Sequence, residues 1–447
     1  MLQGSRRPDV AAWGGVVGAV ALVGLAIAVP AATGWKVHVR SFPPLHAAWQ
    51  PRVGPGTLPA LLVAGLAARH AVDAAQRLRW RALLAATYAA GLAWMLSLAL
   101  VDGRGGVGRI LGTDYEYLRT ARATTDLPHT LTTYVSRIPY DAQPSNWPVH
   151  VAGHPPGALT FFVVLVRLHL GADLAAGLVV TAVAASTAVA VAVTVRALGA
   201  ESAARRAVPF LVFAPAAVWQ CVSADAVFAA VGAWGIAALA LAGRAGPGRP
   251  RAGVAYSVLA GLLLGYTVMM SYGLPLLALL AGAVLVAGRS WRPIVPATTA
   301  AGAVVLAFAA YGFTWWEALP VLRERYWAGV ASRRPAAYWM WGDLAALTVS
   351  AGPLVGAGLA AAARRLRGSR RDGEVRVVLW LVGAAVAMVL VADLSQMSRA
   401  EVERIWLPFV PWLLVSCALL PEPWRRRGLV VQVGVALLVQ HLLSTGW

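Results

Sequence analysis

Residues 158–170 read ALTFFVVLVRLHL, and a short break later residues 174–195 read LAAGLVVTAVAASTAVAVAVTV. The second stretch is long enough to cross a bilayer, whose hydrocarbon core takes about 20 apolar residues. The first is apolar as well, and its reading orients everything that follows. If it also crossed, the arginine-bearing segment 196–206 would fall outside the membrane. If it lies along the outer interface as an amphipathic helix, with Arg167 and His169 near its polar end, that segment falls inside. Charge decides for the interfacial helix.

The charge argument needs the whole chain. Thirteen candidate spans can be drawn, at 10–30, 57–70, 83–101, 174–195, 207–220, 226–242, 253–270, 273–288, 294–311, 344–363, 377–392, 405–420 and 429–443. With the N-terminus inside, the inner segments are 1–9, 69–81, 196–206, 243–252, 288–293, 364–376 and 421–428. They hold 23 of the 38 basic residues and 6 of the 19 acids. The rest of the chain is nearly neutral, so the arginines sort to one side as topology requires. Runs such as Arg364-Arg365-Leu366-Arg367 and Arg425-Arg426-Arg427 then read as anchors that also meet anionic lipid. The span after Arg6 and Arg7 is long and has no small-residue cleavage site, so it is expected to stay as an anchor.

Composition agrees. Of 447 residues, 59% are hydrophobic and 13% charged, with a mean hydropathy of +0.67. A soluble domain carries about 25% charged residues. The net charge of +19 is therefore topological and does not indicate nucleic acid. Cys221 and Cys417 stand far apart in apolar surroundings, which excludes a disulfide framework. Lys36 is the lone lysine among arginines, a usage that points to a GC-rich bacterial genome.

The chemistry concentrates outside the spans. The segment 102–173 carries Asp102, Asp114, Glu116, Asp126 and Asp141 with His129, His150 and His154, and 312–343 is rich in tryptophan and tyrosine. Long loops in compact proteins are usually functional or disordered. In Gly112-Thr113-Asp114-Tyr115-Glu116-Tyr117-Leu118 a carboxylate next to apolar helices could serve as general base. The plainer role for Asp114 is capping a helix that begins near Tyr115. On a helix Glu116 would point about 200° away from Asp114, so one of the two faces the cavity. Asp102, before a glycine-rich run, looks like a helix stop. His150 and His154 lie four apart, but Pro148, Gly153 and Pro155 argue against a helix, and with Asp114 they lack a specific metal-ligand spacing. Asp225, in Ser223-Ala224-Asp225-Ala226, opens a helix where an acid also favours the dipole. Arg399 and Arg404 interrupt the positive-inside pattern, and a guanidinium fork suits either a lipid phosphate or pairing with Glu401 and Glu403. The aromatics at Trp315, Trp316, Tyr326, Trp327, Tyr338, Trp339 and Trp341 suit an interfacial belt.

The order of these pieces resembles the GT-C superfamily of membrane glycosyltransferases, in particular the protein O-mannosyltransferase and lipid A aminoarabinose transferase group. The matching pieces are Asp114-Tyr115-Glu116-Tyr117, Gly153-His154-Pro155-Pro156-Gly157, Ser223-Ala224-Asp225-Ala226-Val227-Phe228, and Gly261–Gly265 through Met270-Ser271-Tyr272, with a weaker match at 399–407. Tyr115 separates two acids that relatives often have adjacent, and Ser271 replaces a frequent lysine.

The spans and the resemblance together lead to an expected all-α polytopic membrane fold of about thirteen helices: two extra spans over 1–81, a departure from the family's usual first helix, then a GT-C-like domain over 82–443 whose outer loops are 102–173 and 312–343. The resemblance also implies transfer of a sugar from a polyprenyl-phosphate donor to a glycan, lipid or protein acceptor, on the outer face of a bacterial plasma membrane. Asp114 and Glu116 are the expected catalytic acids, with inversion at the anomeric carbon. Arg399 and Arg404 are expected at the donor phosphate, and Asp102, His154 and Asp225 in the substrate cavity. A divalent metal is left open. The competing reading is a transporter or lipid flippase, which scarce mid-span charges and the absence of an obvious repeat disfavour.

Overall fold

The computed structural model describes residues 6–245, 249–366 and 372–446. Arg367 of the expected inner anchor lies outside the described residues.

Among the described residues, seven helices are long and apolar enough to cross a membrane: Val10–Thr33, Thr57–Arg77, Trp80–Gly112, Asp173–Ala197, Ala224–Ala245, Pro250–Met270 and Gly373–Ser395. Two bent pairs, Ile294–Ala310 with Trp315–Ala328 and Ala336–Ala351 with Leu354–Leu366, raise the number to nine if each is one span. The expected thirteen are not reproduced, for local reasons. The 207–220 candidate is divided at Ala214, which is extended (ψ 153°) because Pro215 follows it. The helix that remains, Glu201–Phe213, is about 20 Å long against a core of about 30 Å. The 405–420 candidate, which holds Pro408 and Pro411, breaks into the short pieces Val402–Ile405, Val410–Leu414 and Val415–Leu419.

Bilayer exposure is written on the helix faces. Leu58, Leu61, Leu62 and Leu66 form one stripe of the Thr57–Arg77 helix, and all four are exposed. Such a stripe on a soluble protein would be an interaction site or a liability; on a membrane helix it meets lipid. Inside the bundle, Ala224–Ala245 packs between Asp173–Ala197 and Pro250–Met270. Gly261 and Gly265 let Pro250–Met270 press on Ile294–Ala310: a Cβ at Gly261 would lie 2.1 Å from the Ala297 carbonyl oxygen. Small residues spaced four apart allow this approach in membranes.

The segment 102–173 is largely helical, with helices at Tyr117–Ala123, Leu127–Thr132, Val149–Gly153 and Pro156–Arg167. The last covers most of the deciding stretch. Its 12 residues extend about 18 Å, too short to cross. Leu159, Phe162 and Val163 are buried, while Val164 and Leu168 are exposed. Gly157 seats its first turn, since a Cβ there would come 2.4 Å from the Met269 carbonyl oxygen.

Candidate active site

The two acids of the first loop part company in the turn at 113–116. The helix begins at Tyr117, and Glu116 occupies the cap position with an extended backbone (φ −95°, ψ −178°) and no capping bond from its side chain. Neither acid caps that helix. Their divergence comes from the turn, not from the helical 200° rotation the spacing suggests. Asp114 faces out, with about 71% of its side chain exposed, and pairs with the equally open Arg119. Glu116 faces in and is 1% exposed.

Inside, Glu116 Oε1 and His150 Nδ1 are 3.0 Å apart. His150 stands on Val149–Gly153, a helix that the surrounding prolines do not prevent: Pro148 precedes its first residue, and Gly153 ends it. His150 and His154 consequently lie together, with ring centroids 6.5 Å apart. His154 Nδ1 is 2.9 Å from the His150 carbonyl oxygen, and its ring lies between Tyr117 and Phe228. Burial lowers the His154 pKa to about 4, so the ring is neutral at physiological pH. Burial also works against the charge of Glu116, but His150 and Arg404 outweigh it and hold the carboxyl below its usual range.

Asp225 opens the Ala224–Ala245 helix and makes an ion pair with Arg404, both side chains 3% exposed. Arg404 also reaches Glu401 at 3.5 Å, and Glu401 binds Arg334 at 3.3 Å. The chain is folded tightly there: Ala400 and Glu401 both have positive φ (68° and 65°), an uncommon conformation for residues with side chains. The Ala400 N–H donates to Asp343 Oδ1 at 2.9 Å, and Arg334 donates to the Arg399 carbonyl at 2.5 Å, which secures the bend. Burial works against the Glu401 charge, yet Arg404 and Arg334 bring its pKa down to about 2. Glu403, two residues on, is raised to about 7 by burial, although its carboxylate accepts the His46 N–H at 2.9 Å.

The expected site residues thus fall into four places. Glu116, His154, Asp225 and Arg404 converge in one buried polar cluster. Arg399 serves the fold beside it: it donates to Gln396 Oε1 at 2.9 Å and to the Arg334 carbonyl at 2.7 Å, and lies over Trp327. Of the two expected phosphate arginines, Arg404 is buried and Arg399 is half-buried. Asp102 is a strut between distant segments, accepting from Arg52 at 3.1 Å and Gln440 at 2.8 Å. Asp114 stands alone on the outside, at a groove of about 560 Å³ lined also by Arg119, Asp126, His129, Arg137 and Trp147. No motif in the sequence points to Arg334 or His46; Glu401 and Glu403 stand out there only as pairing partners.

Among the described residues no three histidine, cysteine or acidic side chains are grouped as a metal site would need. Glu116 and the His150 carbonyl each engage one of the two histidine rings, and Asp114 points elsewhere, so the suggested Asp114–His150–His154 set is not assembled.

No known family profile matches the sequence, and no curated protein matches it. The structure is similar to the crystal structure of the Archaeoglobus fulgidus oligosaccharyltransferase in complex with zinc and sulfate. The identity is 15% and the TM-score 0.47, over 79% of this chain and 51% of that one. This chain therefore spans about half the length of that protein.

Proposed function

We propose that the chain is a membrane glycosyltransferase that moves a sugar from a polyprenyl-phosphate donor to an acceptor hydroxyl on the extracytoplasmic face. The observation that carries this reading is a convergence. Four motifs recognised by their order along the sequence meet around one cluster: Glu116 beside His150, His154 against Phe228, and Asp225 on Arg404. That cluster fixes the turn that presents Asp114 to an open groove.

The chemistry follows from the placement. Asp114 accepts the proton of the acceptor hydroxyl as that oxygen attacks the anomeric carbon, and the bond to the phosphate oxygen breaks with its electron pair. One displacement inverts the anomeric carbon. A base has to reach its proton within about 2.6–3.2 Å, which an exposed carboxylate can do and a sealed one cannot. Glu116 therefore acts through His150 as a positioning residue.

The test is transfer by the purified full chain in lipid nanodiscs. Polyprenyl-monophosphate sugars bearing a radiolabel are offered with glycan, lipid and peptide acceptors. Labelled acceptor formed by the wild type and lost in Asp114→Asn is the expected result. Movement of the donor across sealed vesicles without any glycosidic product would replace this reading with a flippase.

A further inference from the structure

The proposed transfer expels a phosphate, so a cation is needed in the cavity that holds Asp114. Arg404 and Arg399 are engaged with protein groups inside the fold. Two other arginines line the groove itself. Arg119 is about 67% exposed and pairs directly with Asp114. Arg137 is fixed in place: Nε donates to the Ser145 carbonyl and Nη2 to Ser145 Oγ, both at 3.0 Å, and the guanidinium lies 3.5 Å over the Trp147 ring. A guanidinium held this way loses little freedom when it binds an oxyanion.

Resting on the glycosyl-transfer reading, we infer that Arg119 and Arg137 form the phosphate subsite of this groove, and that Asp114 and the donor phosphate share Arg119 until the transfer step. The charge balance of the reaction supports the pairing. A sugar-linked phosphodiester carries one negative charge, and the departing monoester carries a second. As the oxygen–carbon bond to the acceptor forms, the acceptor proton passes to Asp114 and neutralises it. The carboxylate that held Arg119 loses its charge in the step in which the phosphate gains one. Arg119 is thereby handed from base to leaving group, and the stabilisation appears where charge develops.

The test is direct binding to the full chain in nanodiscs, with farnesyl phosphate as probe and farnesol and inorganic phosphate as comparisons. Wild type should prefer farnesyl phosphate to farnesol. Arg119→Gln and Arg137→Gln should each lose roughly tenfold in affinity for farnesyl phosphate, with farnesol unchanged. Arg119→Lys should keep most of the affinity, which separates lost charge from lost fold. Asp114→Asn should bind farnesyl phosphate more tightly, since the competitor for Arg119 is gone. Inorganic phosphate that competes assigns recognition to the phosphate alone; a preference that it does not disturb assigns it to a lipid-linked phosphate, and either supports the subsite. Equal affinity for farnesol and farnesyl phosphate, or wild-type affinity in the double Arg119→Gln/Arg137→Gln variant, would overturn it. Binding as described without any sugar transfer would leave the subsite standing and remove the glycosyltransferase reading. Transfer with an unchanged donor KM in the double variant would do the reverse.

Discussion

Two ion pairs of this site, Asp114–Arg119 and Asp225–Arg404, stand in opposite surroundings. Asp114–Arg119 is open to solvent on both sides, whereas Asp225–Arg404 is 3% exposed on both. An exposed pair is worth about 0–1 kcal/mol, because water and salt screen it. Removing one partner from a buried pair costs roughly 3–5 kcal/mol, because the other charge stays behind without compensation. A pair that is cheap to break suits a place where ligands exchange. A pair that is costly to break suits the joint between the Ala224–Ala245 helix and the 400–404 bend.

The largest effect should fall on chemistry in the open groove. Asp114→Asn keeps the shape but removes the proton acceptor, so transfer should drop by about 10²–10⁴-fold with unfolding unchanged. Glu116→Gln should retain more turnover than Asp114→Asn, while destabilising the protein through the buried His150 contact. The reverse order in the transfer assay would move the base to the inner side of the turn.

Next comes the buried joint. Arg404→Met should lower unfolding stability by roughly 3–5 kcal/mol, measured by denaturant or heat in detergent. The double variant Arg404→Met/Asp225→Leu should recover much of that loss, because Asp225 no longer stands buried without its partner, while Glu401 keeps Arg334. No recovery would mean that Arg404 matters for more than neutralising Asp225.

A smaller effect should appear in pH dependence. Burial raises Glu403 from the usual 4.5 to about 7. The folded chain therefore holds a proton that the unfolded chain releases between about pH 4.5 and 7, and stability should fall as pH rises through that window. Glu401 acts oppositely: with its pKa down at about 2, its contribution is present above pH 4.5 and fades as pH falls toward 2. Thermal midpoints of wild type and Glu403→Gln between pH 5 and 8 should diverge, with the variant flatter. Parallel curves would show that Glu403 does not titrate there. The smallest effect belongs to Arg119→Gln, which should change unfolding stability by less than about 1 kcal/mol. A loss as large as that of Arg404→Met would erase the distinction between the two pairs.

The sequence by itself determined the membrane class and the helical composition. Those features depend on quantities that add along the chain: apolar length against bilayer thickness, and arginine sorting across it. The motif at 114–117, the His-Pro-Pro-Gly helix start and the opening of the Asp225 helix were legible because each is local. The number of full-length spans was not, since Pro215 and the prolines of the 402–419 region shorten helices that hydropathy alone would extend. Nor could spacing tell that Asp114 turns outward while Glu116 turns inward. That choice belongs to tertiary contacts, above all Glu116 with His150, 34 residues on, beside the Asp225–Arg404 pair, 179 residues apart. Only the tertiary structure decides such contacts, because the penalty for burying a charge depends on which partner arrives to meet it.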